Sequence, residues 1–138
     1  YRLRHGKLTQ ITHDHSLLQE QIDAGLLTAS EARYSQNRNL VTRALGVDPV
    51  VVAEIADFDT QVGDLYLLCS DGLTDMVPDE QIAEVLSSDN SLDARADELV
   101  QIANDHGGRD NVSVILIRVD SHVSRPKGLM SKMRDWLA

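Results

Sequence analysis

The sequence predicts a mixed α/β domain of the α+β kind, built on a largely antiparallel sheet. Strand-like apolar segments lie near both ends of the chain, segments with helical spacing lie between them, and no glycine-rich turns mark a repeating βαβ series. The 138 residues, 42% hydrophobic and 25% charged, are enough for one folded domain with its own core.

A hairpin and a helix are predicted for the first 25 residues. Residues 1–5 and 8–12 alternate in polarity on either side of a turn at residues 6–7, which is the pattern of a hairpin. Apolar residues at helical spacing predict a helix over residues 15–23, and Gly25 is suited to end it.

Two short helices and a pair of strands are predicted over the middle of the chain. Thr28 and Glu31 have the pattern of a capping box, which starts a short helix. Residues 38–45 form another short periodic segment. Residues 50–58 have the pattern of a β-branched strand, and the apolar run over residues 64–70 predicts a second strand that is buried on both faces.

Two helices and a strand are predicted for the rest of the body. Pro78 at the first helical position, followed by two acidic residues, predicts a helix that runs to Leu86. Ser91 is the predicted N-cap of a longer helix that ends near residue 105. Residues 112–119 are apolar and β-branched, and they form the clearest strand pattern in the chain.

The charge and the cysteine content exclude several classes of protein. Thirteen Lys and Arg against 22 Asp and Glu give a net charge of −9, which does not suit non-specific binding to nucleic acid. No apolar run is long enough for a transmembrane segment. The single cysteine, Cys69, excludes an internal disulfide, is interpreted as a buried structural thiol, and fits a reducing, cytoplasmic location.

Two aspartates follow the predicted buried strand. Asp71 and Asp75 stand four residues apart, and Gly72 permits a sharp turn between them. Carboxylates at the end of a core strand suit a hard divalent cation such as Mg²⁺ or Mn²⁺. The alternative is a plain strand-to-helix connection in which Asp75 acts as a cap.

A second polar loop precedes the last predicted strand. Gly107 and Gly108 are followed by Arg109, Asp110 and Asn111. One glycine is enough to end a helix, so the extra glycine and the polar triplet favour a ligand site with Asp110 at the edge of the core. An ordinary helix-to-strand loop is the alternative.

Two histidines flank an aspartate in residues 12–16. His13 and His15 suggest a zinc site, but a structural zinc ion usually takes four ligands and no cysteine lies nearby. Asp14 or Ser16 as the N-cap of the following helix is the interpretation that this segment favours.

Five stretches of the chain resemble the metal-dependent Ser/Thr protein phosphatases of type 2C, the PPM family, and two of the five resemble its bacterial branch. In chain order they are residues 1–8, 12–20, 39–46, 64–75 and 107–115. The resemblance runs over about residues 1–120, and five motifs in the family's order are much more specific than any one of them.

The resemblance implies a four-layer α-β-β-α sandwich, in which two packed sheets lie between helices. It also implies two or three Mn²⁺ or Mg²⁺ ions that activate a water molecule. Asp71 and Asp110 match metal-ligating aspartates of the family, and Asp75 matches a position near a third, looser metal. Gly72 and Asn111 match residues that lie beside these ligands.

The resemblance is to the C-terminal half of the family only, and therefore to an incomplete half of the sandwich. The family's N-terminal half carries a phosphate-binding arginine, a Glu-Asp metal pair and an Asp-Gly-His segment, none of which is in this chain. Residues 1–120 are thus expected to be the C-terminal part of a catalytic domain. Within them, residues 16–38 match a variable flap with a role in substrate handling.

The function implied is hydrolysis of phosphoserine and phosphothreonine esters by a metal-activated water. The partners implied for such a phosphatase are phosphoprotein substrates and a cognate Ser/Thr kinase, and the location implied is cytoplasmic. Because half of the metal shell is missing, this chain alone is expected to be inactive. The alternative is a catalytically silent interaction module that keeps part of the phosphatase fold.

Residues 121–138 are predicted to form a linker and an amphipathic basic tail. Residues 124–138 contain four cations and one anion, so the tail is locally +3 and the rest of the chain carries −12. The apolar residues of the tail fall on one face of a helix. We expect the tail to be helical and to bury Trp136 in a protein contact, with a partner, with the chain's own domain or with a neighbouring copy. Docking of the tail on an anionic membrane surface and a helix frayed in solution are the alternatives.

Overall fold

The computed structural model describes residues 1–32, 35, 40–44, 46, 50 and 52–121. The chain divides into two compact units, one formed by Tyr1–Thr9 with the described residues from Asp59 onward, and one formed by Gln10–Phe58. The predicted tail with Trp136 lies outside the described residues. In the part of the chain that is described, no helix is long and apolar enough to cross a bilayer.

The structure contains four strands and five helices within the described residues. The strands are β1 (Arg2–Arg4), β2 (Lys7–Thr9), β3 (Leu65–Cys69) and β4 (Val114–Arg118). The helices are α1 (Leu17–Asp23), α2 (Ala29–Ala32), α3 (Asp71–Thr74), α4 (Asp79–Ser87) and α5 (Leu92–Asp105). The strands form one antiparallel sheet in the order β2-β1-β3-β4, so the predicted mixed α/β class is confirmed.

The predicted hairpin is formed by β1 and β2, but its turn lies one residue earlier than expected. Arg4 pairs with Lys7, which leaves His5 and Gly6 as the two turn residues. Both have positive φ, 51° and 75°. A two-residue turn between twisted strands requires this backbone, and glycine adopts it without a steric cost.

One face of the sheet is covered by α3, α4 and α5. The side chains that form this core are Leu3, Leu65, Leu67, Leu73, Val77, Ile82, Val85, Leu86, Leu99 and Ala103. The core therefore lies between a sheet layer and a single helical layer in the first unit.

The other face of the sheet is apolar and open. Leu68 is 52% exposed, and Ile115 and Ile117 of β4 are 58% and 50% exposed. The prediction that the run over residues 64–70 is buried on both faces is therefore wrong for the described structure. Alternate residues of a strand point to opposite faces, and here the helices cover only the face that carries Leu65 and Leu67.

The two longer helices confirm their sequence signals with small shifts. α4 begins at Asp79 with Pro78 at its N-cap, one position before the predicted place. The N-cap of α5 is Ser91, whose hydroxyl oxygen accepts a hydrogen bond of 3.2 Å from the backbone N–H of Ala94. α5 then ends before Gly107, which has a φ of 124°.

The second unit contains α1 and α2, and both begin where their caps predict. Ser16 is the N-cap of α1, and its hydroxyl accepts a hydrogen bond of 3.2 Å from the N–H of Gln19. Before α2, the N–H of Thr28 donates to Glu31 Oε2 at 2.8 Å, and the N–H of Glu31 donates to Thr28 Oγ1 at 3.3 Å. These reciprocal bonds are the predicted capping box.

Two predicted elements of this unit are not found. Residues 40–44 are not helical, and Val41 instead forms an isolated antiparallel bridge with Ser16. The remainder of the 38–45 segment lies outside the described residues. Residues 52–58 form no strand and are exposed. A β-branched pattern forms a strand only beside a partner, and β3 pairs with β1 and β4 instead.

Candidate metal site

The sheet brings the two predicted polar loops to one edge. β3 and β4 are antiparallel neighbours, and their register ends with Cys69 opposite Val114. The end of β3 therefore lies beside the start of β4. One step beyond the ladder, the backbone N–H of Ser70 donates to the carbonyl of Ser113 at 3.1 Å. The residues that follow β3 (70–75, the Asp71 turn) and the residues that precede β4 (107–113, the Asp110 loop) therefore lie side by side at this edge.

Gly72 forms the contact between these loops. It is buried, and a Cβ placed on it would lie 2.4 Å from the backbone carbonyl oxygen of Asn111. No side chain fits at that distance, so the glycine is required by the close approach of two backbones. The expected reason, a sharp turn, does not apply, because Gly72 lies within the helical turn of α3.

The predicted ligands lie on exposed positions around this contact. Asp71 is the first residue of α3, and Asp75 is its C-cap, with its backbone N–H bonded to the Asp71 carbonyl at 2.8 Å. The Asp110 side chain accepts a hydrogen bond of 2.7 Å at Oδ1 from the N–H of Asn111. This bond orients the Asp110 carboxylate relative to its own loop.

The donor set fits part of a site for a hard cation. Asp71 and Asp110 supply carboxylate oxygens from adjoining loops, and these are the ligands that Mg²⁺ and Mn²⁺ prefer. Across the residues that the structure describes, no group of three or more His, Cys, Asp and Glu side chains is placed to hold a metal ion. Two carboxylates alone would fill only part of the shell that such a cation takes.

Cys69, next to this edge, is half-buried and free. The prediction of a buried thiol holds only in part, because Cys69 packs against the core but is partly exposed. Burial raises the pKa of the Cys69 thiol, and the negative charges of Asp79 and Asp71 add to this effect.

The two histidines of the second unit have separate partners. His13 Nε2 lies 3.0 Å from Asp23 Oδ2. His15 Nε2 lies 3.2 Å from Glu54 Oε2 and 3.2 Å from Arg43 Nη1. These contacts do not form a zinc site, and the Ser16 cap of α1 is the interpretation that the structure supports.

Sequence reasoning did not identify the Ser70 hydroxyl as part of this edge. Its Oγ donates to the Asn111 carbonyl at 2.8 Å and accepts from the Ser113 N–H at 3.0 Å. The signal in the sequence was the position of Ser70, between the last strand residue and Asp71. Its partners are 41 and 43 residues away, so only the folded chain reveals them.

Known proteins resemble the chain over almost all of its length. No family model matches it. The Ser/Thr phosphatase Stp of Listeria welshimeri is 38% identical over 135 residues, which are 98% of this chain and 50% of that protein. The solved Ser/Thr phosphatase PstP/Ppp of Mycobacterium tuberculosis matches with a TM-score of 0.82 and 40% identity, over 88% of this chain and 51% of its own.

A further solved structure, the catalytic domain of the phosphatase PstP in complex with two manganese ions, matches with a TM-score of 0.75 and 40% identity. It covers 88% of this chain and 49% of its own. In fold and sequence the chain is thus similar to one half of several bacterial Ser/Thr phosphatases, one of which is named as 2C-type, and the predicted resemblance is confirmed. The chain spans about half the length of the relatives it matches.

Proposed function

We propose that the protein carrying this chain is a metal-dependent Ser/Thr protein phosphatase and that these residues supply part of its metal site. One observation carries the proposal: two aspartate-bearing loops meet at the β3–β4 edge, where the Gly72 backbone touches the Asn111 carbonyl. The similarity to half of several Ser/Thr phosphatases supports it.

Asp71 and Asp110 are the proposed ligands of Mn²⁺ or Mg²⁺, and Asp75 is proposed to lie near a third ion. When bound, such ions lower the pKa of a water molecule and neutralise charge on phosphoryl oxygens. The task of this chain is to hold the two carboxylates at one edge. Gly72 allows the two loops to come into contact, because it has no side chain to collide with the Asn111 carbonyl. The backbone N–H of Asn111 orients the Asp110 carboxylate by donating to it.

The proposal extends to the substrates and the surroundings of the enzyme. Its substrates are phosphoserine and phosphothreonine in proteins. A cognate Ser/Thr kinase adds the phosphate groups that it removes. Residues 1–120 are its C-terminal catalytic part, residues 16–38 its flap for substrate handling, and residues 121–138 a separate linker and tail. A cytoplasmic location is included, because the single cysteine gives no internal disulfide.

A second function is favoured for the chain taken alone. Within the described ranges no three potential ligands lie together, and carboxylates that share a dication need further oxygen ligands to complete its shell. The isolated 138 residues are therefore proposed to have no phosphatase activity. Their alternative function is that of an interaction module, which keeps part of the phosphatase fold and binds a partner without catalysis.

The test compares the native polypeptide that carries these residues with the isolated chain. Both are assayed with p-nitrophenyl phosphate and with a phosphothreonine peptide, with Mn²⁺, with Mg²⁺ and after treatment with a chelator. We expect metal-dependent hydrolysis by the native polypeptide and little or none by the isolated chain. No hydrolysis by the native polypeptide under any of these conditions would overturn the phosphatase; equal turnover by both would overturn the incomplete site.

A further inference from the structure

We propose that the Ser70 hydroxyl is a positioning group that fastens the Asp110 loop to the Asp71 turn and thereby sets the spacing of the two carboxylates. The inference rests on the proposed function, because this spacing matters only if both aspartates serve one cation site. It assigns a role to a side chain that is not itself a ligand.

Three hydrogen bonds tie Ser70 to the opposite loop. Its Oγ donates to the Asn111 carbonyl at 2.8 Å and accepts from the Ser113 N–H at 3.0 Å. Its own N–H donates to the Ser113 carbonyl at 3.1 Å. The β3–β4 ladder ends at Cys69 and Val114, so these bonds carry the pairing beyond the sheet to the place where the aspartates begin.

Only a hydroxyl makes both side-chain bonds from this position. One side-chain atom must donate to a carbonyl and accept from an amide N–H. The hydroxyls of serine and threonine do both, the cysteine thiol does both weakly, and alanine has no such group. Loss of the hydroxyl leaves an amide and a carbonyl of the Asp110 loop without these partners. The backbone bond from Ser70 to Ser113 is the one that remains.

Gly72 and Ser70 act on the same carbonyl group. Gly72 lets the Asn111 oxygen approach, since any Cβ there would collide with it, and Ser70 holds that oxygen by a hydrogen bond. Asp71 lies between these two residues, and Asp110 directly precedes Asn111. Asn111 is thus held at its carbonyl by Ser70, and its N–H donates to Asp110 Oδ1 at 2.7 Å, so a displacement of Asn111 also moves the donor that orients the Asp110 carboxylate.

The test uses the native polypeptide with Ser70→Ala, Ser70→Thr and a matched control, Ser88→Ala. Ser88 also donates its hydroxyl to a carbonyl at 2.8 Å, that of Val85, but at the end of α4. Two quantities are measured: the hydrogen-exchange rate of the Ser113 amide without metal, and the affinity for Mn²⁺ by calorimetry.

We expect Ser70→Ala to speed the metal-free exchange of the Ser113 amide. We also expect it to weaken Mn²⁺ binding by about tenfold, the lower end of what groups that orient metal ligands contribute to metal affinity. Ser70→Thr keeps the hydroxyl and should leave the exchange rate and the Mn²⁺ affinity near their wild-type values. Ser88→Ala should change neither quantity. Gly72→Ala is expected to weaken Mn²⁺ binding as well. Combined with Ser70→Ala, it should cost less than the two losses added, because both changes disrupt one contact.

An unchanged exchange rate in Ser70→Ala, or an accelerated rate with unchanged Mn²⁺ affinity, would overturn the positioning role. If Ser70→Ala fails to fold, Ser70→Cys provides the same comparison, because it keeps the size of the side chain and weakens both hydrogen bonds. A wild-type protein that binds no Mn²⁺ would overturn the proposed function and leave Ser70 without a part in metal binding. The metal-free exchange data would then still show whether Ser70 holds the loop, which separates the two failures.

Discussion

Arg4 and Asp64 form a two-point ion pair that joins β1 to the turn before β3. Arg4 Nε lies 2.6 Å from Asp64 Oδ1, and Nη2 lies 2.6 Å from Oδ2. The N–H of Gln61 also donates to Oδ2 at 2.8 Å, and Asp64 is only 1% exposed. The pair spans 60 positions of the chain, so it stabilises the first unit between its N-terminal hairpin and its central strand.

This pair predicts a specific dependence of stability on pH. The hydrogen bond from the Arg4 guanidinium holds the pKa of Asp64 well below its usual range, although burial opposes the shift. The unfolded chain, with an Asp pKa of about 3.9, therefore takes up the proton first as the pH falls. The stability that Asp64 contributes is complete above about pH 4 and is lost progressively below it.

We expect Asp64→Asn to lower the free energy of unfolding by about 2 kcal/mol at pH 7, and by less as the pH falls below about 4. Urea unfolding from pH 7 to pH 3 measures both. Asp120→Asn is the matched control, because its ion pair with Arg118 at 2.7 Å is exposed on both sides and worth little. An Asp64→Asn effect that is equal at pH 7 and pH 3 would contradict the assigned linkage.

Adjacent leucines of β3 give a test of which face of the sheet is covered. Leu67 is 1% exposed and Leu68 is 52% exposed. In the isolated chain, Leu67→Ala is expected to cost about 3 kcal/mol of unfolding free energy, because it opens a cavity in the core. Leu68→Ala should stay within about 0.5 kcal/mol. Equal losses in chemical unfolding would show that the outer face is covered as well.

The capping box before α2 predicts a change in one carboxyl pKa. Hydrogen bonds from the hydroxyl and the backbone N–H of Thr28 lower the pKa of Glu31. Thr28→Ala removes the hydroxyl and should raise that pKa toward its ordinary value, as followed by NMR titration of the Glu31 carboxyl carbon. Ser91→Ala removes the cap of α5 and should leave the Glu31 titration unchanged. A titration of Glu31 that is the same with and without the Thr28 hydroxyl would refute the assignment.

The proposed ligands are tested by removing one charged oxygen at a time. Asp71→Asn and Asp110→Asn are each expected to collapse phosphatase activity of the native polypeptide and to reduce Mn²⁺ affinity by more than about 100-fold, the upper end of what residues that only support a ligand contribute. Asp14→Asn is the control, since Asp14 lies in the second unit and accepts a hydrogen bond of 2.7 Å from the exposed Gln10 side chain. Calorimetric titration with Mn²⁺ and steady-state kinetics measure the two effects. Unchanged affinity in both variants would remove these aspartates from the site.

Local sequence signals predicted the structure well where the hydrogen bonds are local. The caps at Ser16 and Ser91 and the Thr28–Glu31 box each join residues three positions apart. Their partners are present in the sequence window itself, so pattern and structure agree. The hairpin turn followed the same rule within one residue, because its geometry depends on two adjacent positions.

Signals that depend on a distant partner were less reliable. Residues 52–58 have the composition of a strand, but in the described structure the sheet positions beside β3 are taken by β1 and β4. The apolar run of β3 predicted burial on both faces, yet the helices cover only one. Composition records how apolar a strand is, and the neighbours that the fold supplies decide which of its faces is buried.

The candidate site divides in the same way. The residue types were readable from the sequence: Asp71 and Asp110 carry the carboxylate oxygens that suit a hard cation, they lie beside glycines, and their motifs resemble one enzyme family. The folded chain was needed to show that the two loops touch, that Gly72 allows the approach of the Asn111 carbonyl, and that Ser70 bonds to both Asn111 and Ser113. These contacts join residues that are about 40 positions apart in the chain. They form only when β3 and β4 have paired, so no local sequence pattern predicts them.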